Sequence, residues 1–168
     1  MNENDEIRRQ LLEAVGGLSD DQLNEPEEKG RWSIMQTMHH LYLMERSIAI
    51  IISNRLKSKI SMPAEQKPID LTVDRSRKVD APVFVVPAKR YLTLEKIKEK
   101  LEESRKELKK VENSANTDAL EQKSYPHPVF GPMSLKQWIP FVGYHEKRHL
   151  AQIEEIKEKI LSRQLNSL

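Results

Sequence analysis

The sequence predicts an all-α protein built as a four-helix bundle. Three observations carry that prediction. Charged residues make up 32% of the chain and aromatics 5%, with five glycines in 168 residues, a composition of amphipathic helices rather than of a sandwich or barrel. Four stretches repeat apolar residues at the three-four spacing of a helix face. Two of those stretches open on Ser-x-x-Gln, the capping box that marks a helix start.

The first helix is expected from Glu3 to Leu18, with Ile7, Leu11, Ala14, Val15 and Leu18 on one face and Gly16-Gly17 loosening its end. Asp20 to Arg31 is polar, contains Pro26 and Gly30, and reads as a loop with room for a short helical turn. The second helix starts at the Ser33/Gln36 capping box and runs to Ser58. It carries two adjacent inward stripes. One is Ile34, Met38, Leu41, Glu45, Ile48 and Ile52; the other is Thr37, His40, Met44, Ser47 and Ile51. His39 falls on a more mixed face with Met35, Tyr42 and Arg46.

Ile60 to Leu92 is a long crossover with Pro63, Pro68, Pro82 and Pro87. A loop of this length in a compact domain is uncommon and often functional. Val83-Phe84-Val85-Val86 is expected to lie extended against the bundle, and Arg75, Arg77, Lys78, Lys89 and Arg90 make the segment basic. It is either a solvated connection or a lid and anion-binding rim. The third helix follows Thr93 as N-cap and reaches Asn113, with Leu94, Ile97, Leu101, Ser104, Leu108 and Val111 as its packing seam. Ser114 to Met133 reads as a loop, with His127 between prolines as an exposed residue. The fourth helix opens on the Ser134/Gln137 capping box and extends to Ser162; Pro140 inside it should free the Lys136 carbonyl and bend the helix. All 168 residues form one domain. The crossover exceeds what an antiparallel hairpin requires, so simple up-and-down topology does not follow.

Composition excludes several functions. The formal net charge is +2 with both signs interspersed, which argues against a nucleic-acid binder. The absence of cysteine excludes disulfides, cysteine-zinc sites and thiol nucleophiles. No apolar run approaches the roughly 20 residues that span a bilayer. The acidic N-terminus lacks a signal peptide's apolar core. The expectation is a soluble cytoplasmic protein that acts on a small molecule, with neither nucleic acid nor membrane as partner.

The chemistry concentrates in the fourth helix. His145 and His149 are one turn apart and share a face. They lie on the seam Trp138, Val142, His145, His149, Gln152, Ile156, where apolar residues are expected, so both should point into the core. Two imidazoles so placed can bind one transition-metal ion. A catalytic zinc commonly has three protein ligands and one open position, and His40 on the second helix is the best third candidate. Glu45 is a candidate either to orient a ligand's other ring nitrogen or to act as a base on activated water. The competing reading is three core histidines, each hydrogen-bonded to a neighbour. Burying several imidazoles without strong partners costs about 1–3 kcal/mol per unsatisfied group, which counts against it. No Gly-rich phosphate loop, paired-carboxylate site or Ser-His-Asp arrangement is present.

Arg31-Trp32-Ser33-Ile34, followed by His40-Leu41 and Glu45, resembles the second-helix signature of the DinB/YfiT-like superfamily of metalloenzymes. Leu135-Lys136-Gln137-Trp138, His145-x-x-Arg148-His149-Leu150 and Gln152-Ile153 resemble that family's fourth helix. The likeness spans nearly the whole chain; Pro140 and the additional His39 are local departures. It implies a four-helix bundle of unusual connectivity, often a homodimer, with a divalent metal, typically zinc or nickel, held by His40, His145 and His149. Some members are S-transferases using a low-molecular-weight thiol such as bacillithiol, mycothiol or glutathione, in which the metal lowers the thiol's pKa. Others are called metal-dependent hydrolases, with water as nucleophile. Three functions therefore stand open: a thiol transferase of detoxification or stress, a hydrolase, and a non-catalytic bundle with a structural metal.

Overall fold

The computed structural model describes residues 1–168. Its main helices are α1 (Glu3–Val15), α3 (Ile34–Lys57), α4 (Leu94–Ser114) and α6 (Leu135–Asn166), with shorter α2 (Asp20–Asn24) and α5 (Thr117–Gln122). A two-stranded antiparallel hairpin, β1 (Ser124–His127) and β2 (Gly131–Ser134), precedes α6. The four-helix bundle expected from the seams is present: α3 packs on α4 and α6, and α1 packs on α6. No helix is long and apolar enough to cross a membrane.

The helix starts follow their caps. Ser33 and Gln36 form the reciprocal capping box, and the Thr93 hydroxyl accepts from the Lys96 amide. At α6 only half of the expected box forms. Ser134 accepts from the Gln137 amide, but the Gln137 side chain turns away and pairs with both the N–H and the carbonyl of Lys67 in the crossover. The segment 114–133 is not a plain loop, since it holds α5 and the hairpin. His127 is half-buried rather than exposed, stacked among Phe130, Trp138 and Phe141, with its Nδ1 accepting from the Val129 and Phe130 amides. Val83–Val85 forms a 3-10 turn instead of an extended strand, leaving Val85 buried and Val83 and Phe84 exposed. A second 3-10 turn, Ile69–Val73, packs on α6, and α6 itself continues through Pro140.

The first stripe read on α3 is buried along its whole length, Glu45 included. That carboxylate is satisfied by a network taking one residue from each main helix. Arg8 of α1 donates to Glu45 of α3 at 2.7 Å and to Glu146 of α6 at 2.5 Å. Arg105 of α4 donates to Glu45 at 2.8 Å and to Glu146 at 3.1 Å. Arg8 also donates to the Leu101 carbonyl at 2.9 Å, and Asp5 caps the rim through Arg105 and Lys109. Two guanidiniums against two carboxylates balance in charge, which buried ions require. Burial holds the Glu146 carboxyl above its ordinary value against the pull of Arg8 and Arg105.

Helices α1 and α6 approach closely at Gly143. A Cβ built there would lie 2.2 Å from Oδ1 of Asn4, a buried side chain whose amide donates to the Ile139 carbonyl. Gly143→Ala is therefore expected to destabilise the chain by about 1–3 kcal/mol through overpacking, although alanine is the better helix former. Thermal denaturation would read this as a melting-point drop of several degrees. The drop should largely vanish in an Asn4→Ala background, because that change removes the opposing atom.

Candidate metal centre

His40 comes from the middle of α3, and His145 and His149 from successive turns of α6. The structure brings all three together. The Nε2 of His145 lies 3.2 Å from the Nε2 of His40 and 3.2 Å from the Nε2 of His149, and one ligand atom from each ring falls within 4.8 Å of the others. Two nitrogens bound tetrahedrally to one zinc at about 2.0–2.1 Å are separated by about 3.3 Å, so the spacing matches a shared ion.

Hydrogen bonding at the far side of two of the rings fixes their state. The Nδ1 of His40 is 2.8 Å from the Val85 carbonyl, which only accepts, so this nitrogen carries the proton and donates. The Nδ1 of His149 is 2.8 Å from Oε1 of Gln152 and donates in the same way. Burial lowers the pKa of all three rings: His40 by desolvation, His145 well below its usual value with help from its two histidine neighbours, and His149 to about 3. Neutral rings protonated on Nδ1 turn bare Nε2 lone pairs toward one another. A single proton on the His145 Nε2 can serve one neighbour and not the other. A cation between them satisfies all three, so the residues present fit a divalent metal.

The surroundings are largely apolar. Trp32 stands with its ring centroid 5.1 Å from that of His40, and Phe141 stacks on His145 at 5.8 Å. His40 and His145 are 2% and 8% exposed, while His149 is only partly buried, so the centre meets solvent on the His149 side. The crossover is fastened nearby. Arg148 donates to the carbonyls of Thr72, Asp74 and Arg77, and Arg75 forms a two-point ion pair with Glu155 at 2.7 and 3.0 Å.

Glu45 does not meet the expectation placed on it. Both of its oxygens are held by Arg8 and Arg105, and it makes no hydrogen bond to any of the three histidines. Orientation of the rings falls instead to the Val85 carbonyl and to Gln152. The Gln152 position was visible on the α6 seam, three residues beyond His149. The Val85 contact had no signal in the sequence, because a backbone carbonyl carries no residue type.

Known proteins place this arrangement. The description "DinB superfamily" matches residues 3–153. The chain is 35% identical over 155 residues to the uncharacterized protein YuaE of Bacillus subtilis, covering 92% of this chain and 95% of that one. It is 25% identical over 160 residues to a protein of Oceanobacillus iheyensis named "Putative metal-dependent hydrolase", covering 93% and 83% of the two. Among solved structures, the four-helix bundle protein TT2238 superposes with a TM-score of 0.62 at 20% identity, covering 91% of this chain and 94% of that one, which supports the fold alone. With a bundle of this connectivity and near-complete coverage by the superfamily, the chain belongs to the DinB superfamily.

Proposed function

We propose that this protein is a metal-dependent enzyme in which His40, His145 and His149 hold a divalent metal, zinc or nickel, and that it acts as a low-molecular-weight-thiol S-transferase in detoxification or stress. The observation that carries the metal is the convergence of three neutral imidazoles, with the Nε2 of His145 3.2 Å from the Nε2 of both His40 and His149. Bound there, the ion supplies Lewis acidity that lowers the pKa of a coordinated thiol or water. The three imidazoles bring no negative charge, so the charge of the ion is left for an incoming ligand. No fourth histidine or carboxylate joins the cluster, which favours an exchangeable position over a closed structural site.

The arrangement of carboxylates favours a thiol over water as nucleophile. Glu45 and Glu146, the buried acids of the bundle, are held by Arg8 and Arg105, so neither is free to take a proton from an attacking water. A thiol whose pKa is lowered by the metal needs no such base at neutral pH. The exposed crossover residues Arg77, Lys78, Lys89 and Arg90 suit a thiol that carries carboxylates. The second reading is a hydrolase, favoured by the name of the Oceanobacillus relative.

The test is a screen of metal-loaded protein with bacillithiol, mycothiol and glutathione, each with an alkylating electrophile, beside ester and amide substrates. Conjugate formation with one thiol, lost in His145→Ala, is the expected result. Hydrolysis without conjugation would transfer the assignment to the second reading, and a loaded protein that changes neither rate would overturn both.

A further inference from the structure

We infer that Gln152 is a positioning residue of the metal centre, setting the tautomer and rotation of His149 without ligating. The inference rests on the metal reading above. The three rings are not held equally. His40 is buried beneath Trp32 and anchored by the Val85 carbonyl. His145 is buried, stacked on Phe141, and flanked by both other rings. His149 is the most exposed of the three, and its one polar contact outside the triad is Nδ1 to Oε1 of Gln152 at 2.8 Å.

That contact decides which nitrogen faces the centre. An imidazole on a partly exposed helix face can rotate about its Cβ–Cγ bond and can carry its proton on either nitrogen. Only Nδ1–H with Nε2 inward presents a lone pair to the shared point. Oε1 of Gln152, three residues along the same helix face, accepts from Nδ1–H in that state, whereas the opposite tautomer would require the glutamine amide to turn over and present its NH2. Outer groups that orient metal-bound histidines in this way typically change metal affinity about 10–100-fold when removed. Gln152 lies at a half-buried position on a long helix, where alanine is well tolerated.

The experiment is zinc affinity of the full chain, measured by competition with a chromophoric chelator, for the parent protein, Gln152→Ala and Gln152→Glu. Gln152→Ala should bind zinc about 10–100-fold more weakly. Gln152→Glu keeps an acceptor at the same place and should restore at least the parent affinity, with the zinc-free melting temperatures of all three alike. Histidine 15N shifts should show His149 protonated on Nδ1 in the parent and a mixture of tautomers in zinc-free Gln152→Ala. Alanine affinity within twofold of the parent, or glutamate as weak as alanine, would overturn the role of Gln152. A parent protein that takes up no zinc or nickel would instead overturn the metal reading itself.

Discussion

His145→Ala is expected to remove stoichiometric metal from the protein. His145 is the central member of the triad, since its Nε2 lies 3.2 Å from the Nε2 of each of the other two. A structural zinc of about 10–16 kcal/mol spread over four ligands amounts to roughly 3 kcal/mol per ligand. At about 1.4 kcal/mol per decade, losing one ligand weakens binding about a hundredfold or more. Elemental analysis of protein purified without a histidine tag would read near one metal per chain in the parent and near none in His145→Ala/His149→Ala. Metal at a hundred times its Kd stabilises the fold by about 2.7 kcal/mol, so a chelator should lower the parent's melting temperature and leave the double variant's unchanged. No metal in the parent, with no response to the chelator, would return these residues to ordinary core histidines. The pH response has a definite sign. In the metal-free protein the three rings titrate below the ordinary histidine value of 6.5, His149 near 3, because burial disfavours the charged form. Their contribution to stability is complete above the unfolded value and is lost as the pH falls from there toward the folded values. Protons and metal compete for the same lone pairs, so metal retention should fall in the same direction.

Glu45→Gln is expected to unfold the bundle more readily rather than to silence a chemical step. Glu45 is 1% exposed and receives Arg8 and Arg105. Removing its charge leaves two buried guanidiniums against Glu146, with only the rim carboxylate Asp5 beside Arg105. Breaking a buried ion pair from one side costs about 3–5 kcal/mol. For a chain of this size that is a melting-temperature drop of about 10 °C. Metal content per folded molecule should stay near the parent's, because Glu45 touches no ligand. Replacing partners together, Glu45→Leu with Arg105→Met, should recover much of the loss, since charge balance with Arg8 and Glu146 is restored. A Glu45→Gln protein of parental stability that no longer turned over substrate would instead make Glu45 a catalytic base.

The helices were legible because their signals are local. Capping serines, three-four apolar spacing and a crossover rich in proline depend on residues a few positions apart, and they gave α3, α4 and the start of α6 to within a residue, while α6 runs to Asn166 rather than Ser162. The histidine triad was legible for a related reason: His145 and His149 share a helix face by spacing alone, and His40 lies on an inward stripe of the only other helix with a core histidine. Glu45 was correctly placed on the packed face, but its role was not, because its partners Arg8 and Arg105 lie 37 and 60 residues away in sequence. Which charges meet in a core depends on how the helices pack. The hairpin at 124–134 escaped notice because four-residue strands carry too few positions to show a period. By itself the sequence determined a four-helix bundle with three inward histidines, since side-chain periodicity dictates which face is buried. The tertiary structure alone decided that their Nε2 atoms meet, that a crossover carbonyl and Gln152 hold two of the rings, and that Glu45 belongs to a four-helix ion network, since each is a contact between groups whose proximity only packing creates.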